Sequence, residues 1–218
     1  MASVMLLGTA VDAWTDWKYD ADMSTNRFGV FEPLLDANER YLPLLKGGFS
    51  TGFGETMDII FRIVDQTAAE TLNKDIVALL SSPDWRPHIV AIVTMYVARD
   101  SCEPDTFDAA WMALHGGSWV SPQICVVLSL IDPGFGDRAL RMITASTEIV
   151  PDAGLSIIHS HVAQGPAGVD RESTKLHKAL RYCLDGTQTG EGGDYDGGGI
   201  AHIWRHYFLR YFESDRQA

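Results

Sequence analysis

The chain has 218 residues, of which 46% are hydrophobic and 21% charged, so a packed core is expected and a disordered chain is excluded. Its 29 Asp and Glu outnumber 17 Lys and Arg, giving a formal net charge of −12. That balance disfavours nucleic acid, whose affinity comes from Lys and Arg neutralising phosphate, and favours a basic partner.

Residues 1–54 read as an irregular N-terminal cap rich in aromatics: Trp14, Trp17, Tyr19, Phe28, Phe31 and Tyr41. Met1–Val11 has no Lys or Arg before its apolar run, unlike a secretory signal. Pro33 and Pro43 limit helix there, and a short helix from Pro33 to Leu42 is expected. The glycines of Gly47–Gly54 are not followed by the Lys-Ser/Thr of a phosphate loop, so this segment reads as a connector. Met57, Ile60, Phe61 and Val64 then recur at helical spacing, as do Leu72, Ile76, Leu79 and Leu80 over 69–81.

Pro83–Pro87 is a turn, with Pro87 suited to the first helical position of an apolar helix over 87–99. Cys102–Asp105 starts another helix, with Phe107, Ala110, Trp111 and Leu114 inward and Gly116-Gly117 as its stop. Ser121-Pro122 reads as cap and first residue of a helix that ends at Asp132-Pro133-Gly134. Helices over 137–147, 152–163 and 171–184 follow, the last with Lys175, Lys178 and Arg181 outward. The glycine-rich loop 185–199 should be mobile and exposed. An aromatic helix over 200–213 carries Trp204, Tyr207, Phe208, Tyr211 and Phe212.

Two stretches repeat. Leu79–Val93 matches Leu114–Leu128 when Pro87 is set on Pro122, a register of 35, with Trp85 and Trp119 one position out of phase. Clearest over 69–132, this pattern resembles the HEAT-like repeats of α-solenoids. The resemblance implies an all-α protein: a right-handed stack of antiparallel helix pairs over 55–163, closed by C-terminal capping helices over 164–218 in a single domain. It also implies a surface for binding, since such stacks present a broad curved face.

Chemistry is sparse. His202 and His206 lie at i, i+4 and His159 and His161 lie close together, but Ile203 stands where a zinc protease has its glutamate. Packing is preferred to metal, and no cofactor is expected. Asp194-Tyr195-Asp196 lacks the later acid of a calcium loop. No Ser-His-Asp or Cys-His pattern can be assigned. Glu191, Asp194, Tyr195 and Asp196 are candidates for an exposed contact tip. Trp85 and Trp119 staple neighbouring turns or, as a second reading, form a platform for a partner.

Three cysteines in no pattern suit a reducing compartment, and no run reaches the about 20 apolar residues of a membrane helix, so a cytoplasmic protein is expected. The expectation for function is a non-enzymatic protein-binding module of bacterial immunity or antitoxin type that neutralises a basic toxin or effector. A DNA-processing HEAT-like enzyme and a metal-dependent hydrolase are the alternatives.

Overall fold

The structure is a computed structural model and describes residues 28–36, 38–145, 171–188 and 193–215. Among the described residues there are ten α-helices and no strand: α1 Glu32–Leu35, α2 Leu42–Leu45, α3 Phe53–Gln66, α4 Ala69–Leu80, α5 Trp85–Val97, α6 Pro104–His115, α7 Ser121–Ile131, α8 Phe135–Ala145, α9 Arg171–Asp185 and α10 Gly197–Asp215. The all-α expectation therefore holds for these residues. The helix expected over 152–163 lies outside them.

Hydrophobic period set the helices, and local polar competition set their ends. The expected helix from Pro33 to Leu42 is instead two four-residue helices. Between them the Asp36 carboxylate accepts bonds from Asn38 N and Nδ2, both 3.0 Å, a local turn that competes with helix. Helix α5 starts two residues before Pro87, because Asp84 Oδ1 accepts from Arg86 N at 3.1 Å and caps it there. Ser121 is the first residue of α7 and not its cap; Val120 holds that position, and Ser121 Oγ has no partner among the described residues.

Helix α4 packs on α5 and on α6, α6 on α7, and α5 on α7. The outer helices show solvent a polar side, such as Glu70 and Lys74 on α4, while α5 is buried from Pro87 to Met95 and α7 from Ser121 to Leu128. Buried polar side chains lock the layers together. Asn73 on α4 donates to Ala69 O and Ser101 O and accepts from Glu103 N and Thr106 Oγ1, at 2.7–3.1 Å. All four of its amide bonding sites are thereby used. Asp132 after α7 accepts from Trp111 Nε1 of α6 at 2.8 Å and from Gly134 N at 2.7 Å.

The C-terminal helices share the core of the others. Helix α9 packs on α7, α10 packs on both α7 and α9, and their apolar residues join the cluster that contains α3–α7. They also run in the same direction: Gly197 lies against Lys175, Gly198 against Lys178 and His202 against Tyr182. The expected loop 185–199 is shorter, since Gly197, Gly198 and Gly199 open α10. A Cβ on Gly197 would collide with the Lys175 carbonyl, so glycine is required there by close backbone approach.

Helix α10 also reaches the N-terminal elements. Trp204 Nε1 donates to Leu44 O at 2.9 Å, and Phe53 and Phe61 of α3 meet the rings of Tyr211 and Phe212. Gly47–Phe49, the connector expected from its glycines, is a 3₁₀ turn seated on α10.

Candidate partner-binding surface

Two turns bring the tryptophans together. The chain leaves α6 through Gly117 at φ +77°, with Ser118 N donating to Ala113 O at 3.2 Å, and this places Trp119 beside the start of α5. The rings of Trp85 and Trp119 meet at 4.9 Å between centroids and an angle of 49°. Trp85 is the first residue of α5, whereas Trp119 lies two residues before α7. Tyr41 meets Trp85 edge-on at 6.0 Å.

Below the rings, His88 ties the turns. Its Nε2 lies 2.9 Å from Ser82 O and its Nδ1 2.8 Å from Ser118 Oγ. A carbonyl only accepts, so Nε2 carries the proton and Nδ1 accepts from the Ser118 hydroxyl. Burial lowers the His88 pKa, opposed by the Ser82 bond and the Asp84 charge, and the ring is held neutral.

Two cations join the rim, and both are occupied. Lys175 Nζ donates to Trp119 O at 2.8 Å and stands 4.7 Å from the Trp119 ring centroid. This lysine was expected outward on α9; it is 3% exposed, because α9 turns that face onto α7. Arg86 pairs with Asp84 at 2.9 Å and donates from Nε to Tyr41 Oη at 3.0 Å. The Tyr41 phenol is raised, by burial first, with Glu39 and Asp84 adding to it against Arg86. Trp119 keeps 40% of its surface exposed although its ring touches both Trp85 and Lys175.

The other expected site residues are scattered. Asp194 and Tyr195 are exposed, the latter by 48%. Asp196, expected at the exposed tip, is 5% exposed because its Oδ1 accepts from Gly199 N at 2.9 Å and caps α10. Glu191, His159 and His161 lie outside the described residues. His202 and His206 are exposed on α10, and among the described residues no three His, Cys, Asp or Glu group together as metal ligands.

The arrangement offers little for nucleophilic chemistry. Ser118 is 7% exposed, its oxygen held in the joint between two turns. Burial pushes the Cys102 thiol up to about 11 and Cys183 to about 12, and raises buried Cys125 well above the ordinary value. These thiols stay protonated near neutral pH, where a nucleophile needs the thiolate.

Comparison with family models, with curated proteins and with solved structures finds no match. Among the described residues no helix is long and apolar enough to cross a membrane. Sequence reasoning missed Tyr41, Arg86, His88 and Lys175 as members of the tryptophan rim. Only His88, a polar residue inside the apolar run of α5, carried a local signal.

Proposed function

We propose that this protein is a non-enzymatic protein-binding module of the immunity or antitoxin type, docking a basic partner across the Trp85–Trp119 rim. The observation that carries the reading is Trp119, 40% exposed yet in contact with the Trp85 ring and the Lys175 ammonium. A large aromatic held in place before binding loses little entropy on docking, and such residues are frequent energetic centres of interfaces. The rim cations are already engaged by Asp84, Tyr41 and Trp119, which leaves the chain's acidic excess to attract the partner. Exposed Glu55, Asp58 and Asp65 on α3 and Asp105 on α6 supply part of it.

The reading includes two HEAT-like repeats, α4–α5 and α6–α7. It is supported by the 35-residue register and by outer-to-outer and inner-to-inner packing of the two pairs. An experimental structure in which 69–97 does not superpose on 104–131 removes it.

The test is co-purification from the native host with the wild type and with Trp119→Ala. A basic protein retained by the wild type, lost with the variant and released by salt supports the reading. Equal retention by both chains counts against the rim.

A further inference from the structure

Away from the tryptophan rim, α10 carries a second surface of opposite charge. A groove of about 430 Å³ lies along its outer side, walled on the α9 side by Tyr182. That volume is within the about 300–1,000 Å³ usual for small-molecule sites.

The lining follows from helical spacing. His202, His206, Leu209 and Glu213 recur at i, i+4, i+7 and i+11 and form one stripe of α10. Arg205 and Arg210 fall about 60° to one side of His202 and about 80° to the other. Two guanidiniums therefore flank a line of imidazoles. Tyr182 Oη lies 3.2 Å from His202 Nδ1, with the two rings edge-on at 5.5 Å. The Arg205 charge reaches the Tyr182 phenol and opposes the rise that burial gives its pKa.

Neither Arg205 nor Arg210 makes an ion pair among the described residues. In a chain of net charge −12, two guanidiniums without an ion pair among the described residues, beside two histidines on one groove, stand out against the acidic excess. The one acid of the lining, Glu213, is about two turns past Arg205 and one turn past Arg210, at the C-terminal end of the groove.

We propose that this groove binds a small phosphate-bearing molecule, with the phosphate held between Arg205 and Arg210 over His202 and His206. Guanidinium forks match both carboxylate and phosphate oxygens. The phosphate is favoured because a monoester carries about −1.5 to −2 near neutral pH, which balances two guanidiniums, and its three free oxygens can use donors converging from several sides. Tyr182 offers a ring edge to the rest of the ligand.

The test uses the full chain with its histidine Cε1–H resonances followed by NMR. Sodium pyrophosphate, sodium citrate and sodium chloride are titrated separately at matched ionic strength. Saturable shifts of His202 and His206 with pyrophosphate are expected, and none of that kind with chloride. The double variant Arg205→Gln, Arg210→Gln should weaken pyrophosphate binding roughly tenfold or more, and Arg205→Lys, which keeps the charge and loses the fork, by less. Both sites face the groove, and an unchanged unfolding midpoint shows that the variants fold. Trp119→Ala should leave pyrophosphate binding intact, which keeps this result separate from the partner-binding test. Chloride-like, unsaturable shifts, or equal pyrophosphate binding by the double variant, overturn the site. Citrate binding as tightly as pyrophosphate overturns the assignment to phosphate.

Discussion

Helices α4–α7 and helices α9–α10 both bury apolar faces in one cluster, but they are held by different means. In the first region α4 packs on α5 and α6 on α7, the two pairs pack on each other, and polar side chains at the turns and helix starts fasten the layers: Asn73 between α4 and α6, His88 between the starts of α5 and α7, Asp132 between α6 and α8. In the second, two helices run in the same direction, pressed together where Gly197 meets the Lys175 backbone, and α10 spreads aromatic rings over α3, α5 and the Gly47–Phe49 turn. The first can be assembled from local contacts. The second needs chain segments far apart in sequence to meet, with Trp204 bonded to Leu44 across 160 residues. Stability is therefore expected to be concentrated in different chemistry: buried polar bonds in one region, ring packing and close approach in the other.

The strongest test of that contrast is Phe208→Ala. Phe208 is fully buried, stacked on Trp204 at 4.3 Å and against Tyr96 at 4.9 Å. Its truncation should cost about 3–5 kcal/mol in denaturant unfolding. A loss under 1 kcal/mol would mean that α10 is a loose cover and not a brace.

Asn73→Ala is the matching test in the first region. It leaves the Thr106 hydroxyl, the Glu103 amide and two carbonyls without this partner, and a cost of about 2–3 kcal/mol is expected. Asn73→Asp should also destabilise, since two of those four bonds need an N–H donor. Gly197→Ala should cost about 1–3 kcal/mol, because the added methyl has to displace backbone. Gly117, by contrast, has open space for a Cβ, so substitution there meets only the backbone penalty of φ +77°.

Acid sharpens the comparison further. His88 has a lowered pKa in the folded chain, so below the ordinary histidine value near 6.5 the unfolded chain takes up a proton that the folded one refuses. Stability should thus be full above that value and fall as the pH drops through it. The slope is at most about 1.4 kcal/mol per pH unit for this one group. In His88→Gln that part of the slope should vanish; an unchanged acid profile would show that another group sets it. The smallest stability effect is expected for Trp119→Ala, under about 1.5 kcal/mol, since it removes a half-exposed ring contact. Its effect on partner capture should be much larger, and a variant that loses stability and binding together would blur the distinction between rim and core.

Period and punctuation in the sequence determined most of what is local here. Apolar residues at i, i+3, i+4 and i+7 located α3 and α6, those at i, i+4, i+7 and i+8 located α4, and Gly116-Gly117 and Pro133-Gly134 located the ends of α6 and α7. The matching positions of Trp85 and Trp119 pointed to neighbouring turns, and the rings do meet. The tertiary structure alone decided which way α10 runs beside α9, that Lys175 is buried under Trp119, that Asp196 caps a helix, and that two arginines flank a stripe of histidines. Those outcomes depend on which distant segments compete for the same surface. A charged residue looks the same in sequence whether solvent or an aromatic face receives it, and glycine looks the same in a mobile loop as in a contact too tight for a methyl group.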